Sequence, residues 1–184
     1  MAEARDGSLH RNMQNHFELF GLEPGYALDP ERLDRAYREI QARIHPDRFA
    51  HAGEAERRAS MQWTTRVNEA YRTLKSPVQR ARYLLELNGV DAALETNTAM
   101  PHDFLGRQLE LREALDQAAG QRDSAALDRL RRVLRAESEE LKGALGEQLD
   151  AKRDYAGAAG LVRKLMFFDR LDEEIDAAFE TMER

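Results

Sequence analysis

The 184-residue chain contains no cysteine and few residues that interrupt regular structure. Without cysteine it forms no disulfide and no cysteine-ligated metal site of its own. Only five prolines and eleven glycines are present, and aromatic residues make up 7% of the chain. No alternating apolar and polar run is long enough to predict a strand, and no apolar run approaches the ~20 residues that a membrane helix needs. These absences exclude disulfide-stapled, sheet-based and helical membrane-spanning classes.

Charge is what the sequence has in abundance. Charged residues account for 34% of the chain, and the formal net charge is -6. This composition is typical of amphipathic helices with one solvated face, so an all-α fold is predicted. An acidic balance gives no support for nucleic-acid binding. Residues 1–12 lack an apolar core and contain Glu3 and Asp6, which predicts a polar tail rather than a signal or transit peptide, and hence a cytoplasmic protein.

The tripeptide His45-Pro46-Asp47 lies between two amphipathic helical segments. A proline there ends the first helix and leaves the histidine and the aspartate exposed on the turn. The first segment has one apolar stripe: Leu33, Ala36, Tyr37, Ile40 and Ile44. The segment at about 54–75 has a second: Ala59, Trp63, Val67, Ala70, Tyr71 and Leu74. The pattern predicts a helical hairpin with a polar corner that serves as a docking point.

The first helix of this hairpin contains four arginines. Arg35 and Arg38 lie on the face away from the apolar stripe, and Arg32 and Arg43 lie at its borders. They could contact a partner, or they could form an ordinary solvated face, which neighbouring glutamates also favour. His45 also has an alternative to partner docking, because it could act only as a cap at the end of the helix.

Several stretches in this half resemble a J domain: residues 36–39, 45–48, 67–74 and 79–83. Within that class the sequence is similar to the HscB family of iron–sulfur cluster assembly co-chaperones. The stretches that carry this second resemblance are residues 16–22, 83–89, 108–113 and 163–167. They follow one another in the family's order, so the resemblance extends from His16 to the end of the chain.

Turn and capping signals predict two helical domains. We expect a disordered tail over residues 1–12, a J domain over 13–89, a linker over 90–100 and an antiparallel three-helix bundle over 101–184. Within the J domain, short helices are predicted at 13–20 and from Ser76-Pro77 to Asn88-Gly89. The three helices of the bundle are predicted at about 101–119, 124–149 and 158–182.

The bundle carries apolar residues that its own core does not account for. The expected core stripes are Phe104, Gln108, Leu111, Leu115 and Ala118 in the first helix, and Leu161, Leu165, Phe168, Ile175 and Phe179 in the last. Leu105, Leu109 and Phe167 lie off these stripes, and Glu110 and Glu113 flank the leucines. Apolar side chains rimmed by carboxylates predict a protein-docking patch, unless the second helix or the J domain covers the leucines.

The resemblance implies two partners. It implies that a DnaK-type ATPase chaperone, either a specialised one of the HscA type or a general one, is contacted by His45, Pro46, Asp47, Arg35, Arg38 and Arg43 and has its ATPase stimulated. It implies that Leu105, Leu109, Glu110, Glu113 and Phe167 contact an IscU-type iron–sulfur scaffold protein, delivered as client. Gly106 and Gln117 depart from the apolar and acidic residues usual in the family. The alternatives are a J-protein for an unrelated client and a helical interaction protein with a degenerate J-like half.

An enzymatic reading finds little support. His45 and Asp47 could exchange protons, but an outward turn implies no pocket of convergent polar groups. The remaining histidines, His10, His16, His51 and His102, show no metal-ligand spacing. No glycine-rich phosphate loop is present. We therefore expect no catalytic residue, cofactor or metal, and neither a nucleic acid nor a membrane as partner.

Overall fold

The structure is a computed structural model that describes residues 15–49, 52–91 and 102–183. Its elements are α1 (His16–Leu19), α2 (Pro30–Ile44), a 3₁₀ turn (Pro46–Phe49), α3 (Glu54–Lys75), α4 (Pro77–Leu87), α5 (His102–Gly120), α6 (Ser124–Gly146), a π-helical turn (Glu147–Lys152) and α7 (Tyr155–Glu183). No strand occurs in these ranges, and the all-α prediction is confirmed. The predicted tail and all but residues 90 and 91 of the predicted linker lie outside the described residues.

Local capping chemistry explains where the helices begin and end. Asp29 accepts hydrogen bonds from the backbone N–H groups of Glu31 and Arg32, and Pro30 occupies the first turn of α2. Both features stabilise a helix start, because the first N–H groups have no intrahelical partner. Gly89 has a φ of +72°, the left-handed conformation that closes a helix after its last turn. The predicted helix boundaries at these positions are confirmed.

The chain divides into two compact units, with the boundary between Arg80 and Ala81 inside α4. The first unit contains α1 to α3, and the second contains α5 to α7. The buried residues Ala81, Leu84 and Leu85 of α4 fall in the second unit, so this division comes earlier than the predicted end of the J domain. The limits 13–89 and 101–184 remain predictions.

In the first unit, α2 packs along α3 as the predicted hairpin. Leu33 of α2 and Val67 and Leu74 of α3 are fully buried. Tyr37 and Tyr71 stack on each other, with ring centroids 4.0 Å apart. Both rings are only half-buried, so these tyrosines close the edge of the core.

The predicted apolar stripe of α3 needs a correction at its N-terminal end. Ala59 is exposed, and its neighbour Ser60 is buried instead. Ser60 stands seven residues before Val67, so helix geometry places the two on one face. Trp63 was expected in the core and is half-buried. Residue type favoured the alanine in the sequence analysis, whereas the actual face of α3 begins with a hydroxyl.

The second unit is a three-helix bundle around one apolar core. Asp103, at the start of α5, pairs with Lys164 in the first half of α7, and Arg122, just past the end of α5, donates to Met182 O at the end of α7. These two helices therefore run parallel, and α6 returns between them, as the antiparallel topology requires. The buried core residues are Phe104, Leu111, Leu115, Ala118, Leu127, Leu130, Leu134, Phe167, Phe168, Leu171 and Ile175.

Candidate functional sites

The turn that carries His45, Pro46 and Asp47 closes α2, and its polar groups have identifiable partners. Pro46 has no N–H and cannot bond the carbonyl of Ala42, as helix continuation would require. The Arg48 side chain supplies the missing donor, because its Nη1 donates to Ala42 O at 2.9 Å. The Asp47 N–H donates to His45 Nδ1 at 3.3 Å, and the Arg48 N–H donates to His45 O at 3.0 Å. The turn is therefore an ordered structure.

A second side chain reaches the end of α2 from the neighbouring helix. The Ser60 hydroxyl donates to the carbonyl of Ile44 at 2.6 Å, and Ser60 is 5% exposed. This bond joins α3 to the last residue of α2, directly before His45. The sequence analysis missed Ser60. The signal that could have found it is its spacing of seven from Val67, which places a polar residue on an apolar face.

The side chains of His45 and Asp47 are exposed, as predicted. His45 Nδ1 lies 3.5 Å from Asp47 Oδ2. Because Nδ1 accepts the Asp47 N–H, the neutral imidazole carries its proton on Nε2. The turn thus offers a partner one imidazole N–H and one exposed carboxylate. The side chain of Pro46 lies outside the part of the structure that is described.

The predicted arginine contacts lie along α2. Arg35, Arg38 and Arg43 are all exposed. Arg35 Nη1 is 3.6 Å from a carboxylate oxygen of Glu31, one turn earlier in the helix. Within the described ranges, Arg38 and Arg43 form no ion pair. Two of the three guanidinium groups are therefore available to an acidic partner, and their role as chaperone contacts stays a prediction.

A polar network fastens α2 to α3 behind this face. The Tyr37 hydroxyl donates to Asn68 Oδ1 at 2.9 Å, and the Tyr71 hydroxyl donates to Asp34 Oδ1 at 3.0 Å. Lys75 Nζ also donates to Asp34 Oδ1, at 2.6 Å. The hydrogen bonds from Lys75 and Tyr71 hold the pKa of Asp34 below its ordinary value of 3.8, and the bond to Asp34 raises the pKa of Lys75.

The predicted patch on the C-terminal bundle is present on α5. Leu105 is 43% exposed and Leu109 is 60% exposed. They are four residues apart, so their side chains lie one above the other on the helix surface. Glu113 continues this face, while Glu110 is bonded to Arg107 Nη1 at 2.9 Å. The alternative in which the second helix of the bundle buries these leucines does not hold.

The prediction that Phe167 lies outside the core is wrong. Phe167 is 8% exposed, and its ring packs edge-on against Phe104 with centroids 5.6 Å apart. The reason is that α7 packs against two helices. Arg112 of α5 lies over the Phe167 ring, whereas Arg131 of α6 contacts Asp172 on the next face of α7. A helix with two neighbours buries a wider arc than one stripe. The role of Phe167 in partner binding stays a prediction.

The described ranges contain neither a metal-binding cluster nor a membrane-spanning helix. Those residues contain no group of three or more His, Asp or Glu side chains placed to hold a metal ion. None of the helices described is both long enough and apolar enough to cross a bilayer.

Two family models match the chain in the same order as its structural units. Residues 15–83 match the DnaJ domain, and residues 100–176 match the HSCB C-terminal oligomerisation domain. A DnaJ domain in which His45 and Asp47 are exposed, followed by a second helical domain, defines the chain as a J-domain co-chaperone. The C-terminal match narrows this class to one family.

Relatives and solved structures identify the same family. The chain is 47% identical over 170 residues to the co-chaperone HscB homologue of Azoarcus sp. (strain BH72), covering 92% of this chain and 96% of the relative. It is 51% identical over 169 residues to that of Burkholderia vietnamiensis (strain G4 / LMG 22486), with the same coverage. Chaperone HscB from Vibrio cholerae is 37% identical, with a TM-score of 0.78 over 91% of this chain and 99% of that one. Human co-chaperone HscB is 26% identical, with a TM-score of 0.84 over 95% and 84%.

The chain belongs to the HscB family, the J-domain co-chaperones of iron–sulfur cluster assembly. Its relatives are described as co-chaperones and not as enzymes, which points to a role without catalysis by the chain itself.

Proposed function

We propose that this co-chaperone stimulates the ATPase of a DnaK-type chaperone of the HscA type and delivers to it an iron–sulfur scaffold protein of the IscU type. The observation that carries the proposal is the ordered turn at the end of α2. Its backbone is held by hydrogen bonds, while the side chains of His45 and Asp47 remain exposed. An ordered and exposed polar corner is suited to recognition, because little conformational entropy is lost on binding.

The first unit supplies the contacts for the chaperone. Arg43 is exposed in the last turn of α2, directly before the His-Pro-Asp turn, and Arg38 and Arg35 are exposed at successively earlier turns of the same helix. An acidic surface on the chaperone would be steered towards this face. Stimulation further requires that His45, Pro46 and Asp47 bind the hydrolysing conformation more tightly than the resting one, since only differential affinity shifts a conformational equilibrium.

The second unit supplies the contacts for the scaffold. Leu105 and Leu109 form the apolar centre, and Glu110 and Glu113 form an acidic rim. This arrangement fits a partner surface with an apolar spot bordered by basic residues. Phe167 stays in the proposed surface as the residue beneath Arg112, where movement of that arginine would expose the aromatic ring.

Because one chain carries both surfaces, it can hold the scaffold and the chaperone close together. A scaffold bound to the second unit meets the chaperone as an intramolecular partner, at an effective concentration set by the connection between the units. The proposed function therefore predicts synergy between client and co-chaperone, not two independent stimulations.

Steady-state ATP turnover by the chaperone tests the proposal. This protein alone should raise turnover, and this protein with scaffold should raise it beyond the sum of the separate effects. His45→Gln should abolish the stimulation, while scaffold binding remains and stability changes by less than about 0.5 kcal/mol, because the residue is exposed. Normal stimulation by a folded His45→Gln protein would contradict the docking role.

A pull-down separates the proposal from its alternatives. Capture of both chaperone and scaffold supports the proposal. Capture of the chaperone without the scaffold would indicate a J-protein for another client, and capture of neither would indicate a helical interaction protein with a degenerate J-like half.

A further inference from the structure

We propose that Ser60 is a positioning residue for the His45-Pro46-Asp47 turn, holding it in the conformation that the chaperone binds. The inference rests on the proposed function for its functional consequence, and on the hydrogen bond between Ser60 and Ile44 for its structural basis. Ser60 lies on α3, outside the turn itself, and it acts through the backbone of α2.

The end of α2 creates the need for such a bond. The last carbonyls of a helix lack intrahelical partners. In a continued helix, the carbonyl of Ile44 would accept the N–H of Arg48, but that N–H donates to His45 O instead. The Ser60 hydroxyl donates to the Ile44 carbonyl instead of the Arg48 N–H, at 2.6 Å, and Ser60 is only 5% exposed.

The bond fixes the peptide group that leads into the turn. The Ile44–His45 peptide is planar, so its carbonyl and its N–H turn together. The His45 N–H donates to Gln41 O at 3.0 Å, and the Ile44 carbonyl accepts from Ser60. Both polar groups of one rigid plane are thus held, one by α2 and the other by α3. This arrangement sets the direction in which the chain leaves α2 and therefore the placement of His45.

The same helix provides a matched control. Thr64 lies one helical turn after Ser60, and its Oγ1 is also buried, yet it has no hydrogen-bond partner in the described part of the chain. Thr64→Val removes a buried hydroxyl of α3 without removing a hydrogen bond. Ser60→Ala removes a hydroxyl that holds the turn. A general loosening of α3 would affect both variants, whereas loss of positioning affects only the second.

Amide hydrogen exchange measures the positioning directly, without the chaperone. Ser60→Ala should speed exchange of the His45 and Arg48 amides on the order of fivefold, the factor for one lost hydrogen bond. Exchange in Thr64→Val should match the wild type. Unchanged exchange in Ser60→Ala, or equal acceleration in both variants, would overturn the inference.

Chaperone titration then tests the functional consequence. If only part of the population holds the turn correctly, the apparent affinity falls by that fraction while the bound state is unaltered. Ser60→Ala should therefore raise the concentration for half-maximal ATPase stimulation by roughly fivefold and leave the maximum unchanged. An unchanged half-maximal concentration, or a reduced maximum as expected for His45→Gln, would refute a positioning role. If the wild type stimulates no turnover, the proposed function fails, and the exchange result still decides whether Ser60 orders the turn.

Discussion

Residues 1–80 contain 13 Lys and Arg against 12 Asp and Glu, whereas residues 81–184 contain 15 against 22. The two units also differ in what their arginines contact. In the second unit, Arg107, Arg112 and Arg131 each bridge from one helix to another. In the first, Arg38 and Arg43 are exposed and form no ion pair within the described ranges. Three arginines of the second unit therefore join helices, whereas Arg38 and Arg43 of the first unit are exposed on α2 and join it to no other helix within the described ranges.

This difference implies two surfaces of opposite kinds. The turn and its basic flank offer charge and hydrogen bonds, while Leu105 and Leu109 offer apolar area within an acidic unit. Charge-led association is sensitive to salt, because exposed charges are screened beyond about 10 Å at 0.1 M ionic strength. Apolar burial is much less sensitive. Chaperone binding and scaffold binding should therefore respond differently to salt.

The largest expected effect is on the stability of the second unit, where a core residue can be compared with a residue of the patch. Phe167→Ala should lower the free energy of unfolding by about 3–5 kcal/mol, because it removes a buried ring that packs on Phe104. Leu109→Ala should cost less than about 0.5 kcal/mol, because the side chain is exposed. Urea denaturation measures both. A similar loss in the two variants would mean that Leu109 belongs to the core and that this unit has no separate apolar patch.

The contrast between Phe167 and Leu109 also shows how far the sequence could lead. Single-helix periodicity placed both residues off the core stripes, and it was right for Leu109, which is 60% exposed although α5 contacts both α6 and α7. It was wrong for Phe167, which packs edge-on against Phe104 of α5, because the arc of α7 that is buried depends on how the three helices assemble. Helix ends were easier to predict, since Asp29, Pro30 and Gly89 act on groups only a few residues away.

The second prediction tests whether the free charge of the first unit steers the chaperone. Arg38→Glu combined with Arg43→Glu should slow association by about tenfold at low salt, with a smaller change in dissociation. Arg132→Glu combined with Arg135→Glu makes the same change of charge on exposed residues of α6 and is the matched control. Stopped-flow binding at several salt concentrations measures the rates. Equal slowing by both double variants would show that net charge matters and the position of the arginines does not.

Ser60 marks a second limit of sequence reasoning. The family's His-Pro-Asp motif located the turn, and capping rules located the end of α2. Neither could reveal that the carbonyl of Ile44 is held from α3, because that bond depends on how two helices pack. The position of Ser60 on an apolar helix face predicts that it is buried. Only the structure shows that its hydroxyl bonds the carbonyl of Ile44.

The smallest effect concerns the acid response of the two units. Hydrogen bonds from Lys75 and Tyr71 lower the pKa of Asp34 in the first unit, and one from Lys164 lowers that of Asp103 in the second. A lowered folded pKa contributes stability that is present above the unfolded value, near 3.8, and is lost as pH falls through the folded value. Because hydrogen bonds hold both carboxylates in their charged form, we expect both Asp34 and Asp103 to titrate below their ordinary value of 3.8. Carboxylate NMR titration measures both midpoints, and Asp34→Asn should remove the corresponding part of the pH dependence of unfolding. A midpoint for Asp34 at or above its ordinary value of 3.8 would show that the network between α2 and α3 does not hold this carboxylate in its charged form, and the acid response of the first unit would then need another source.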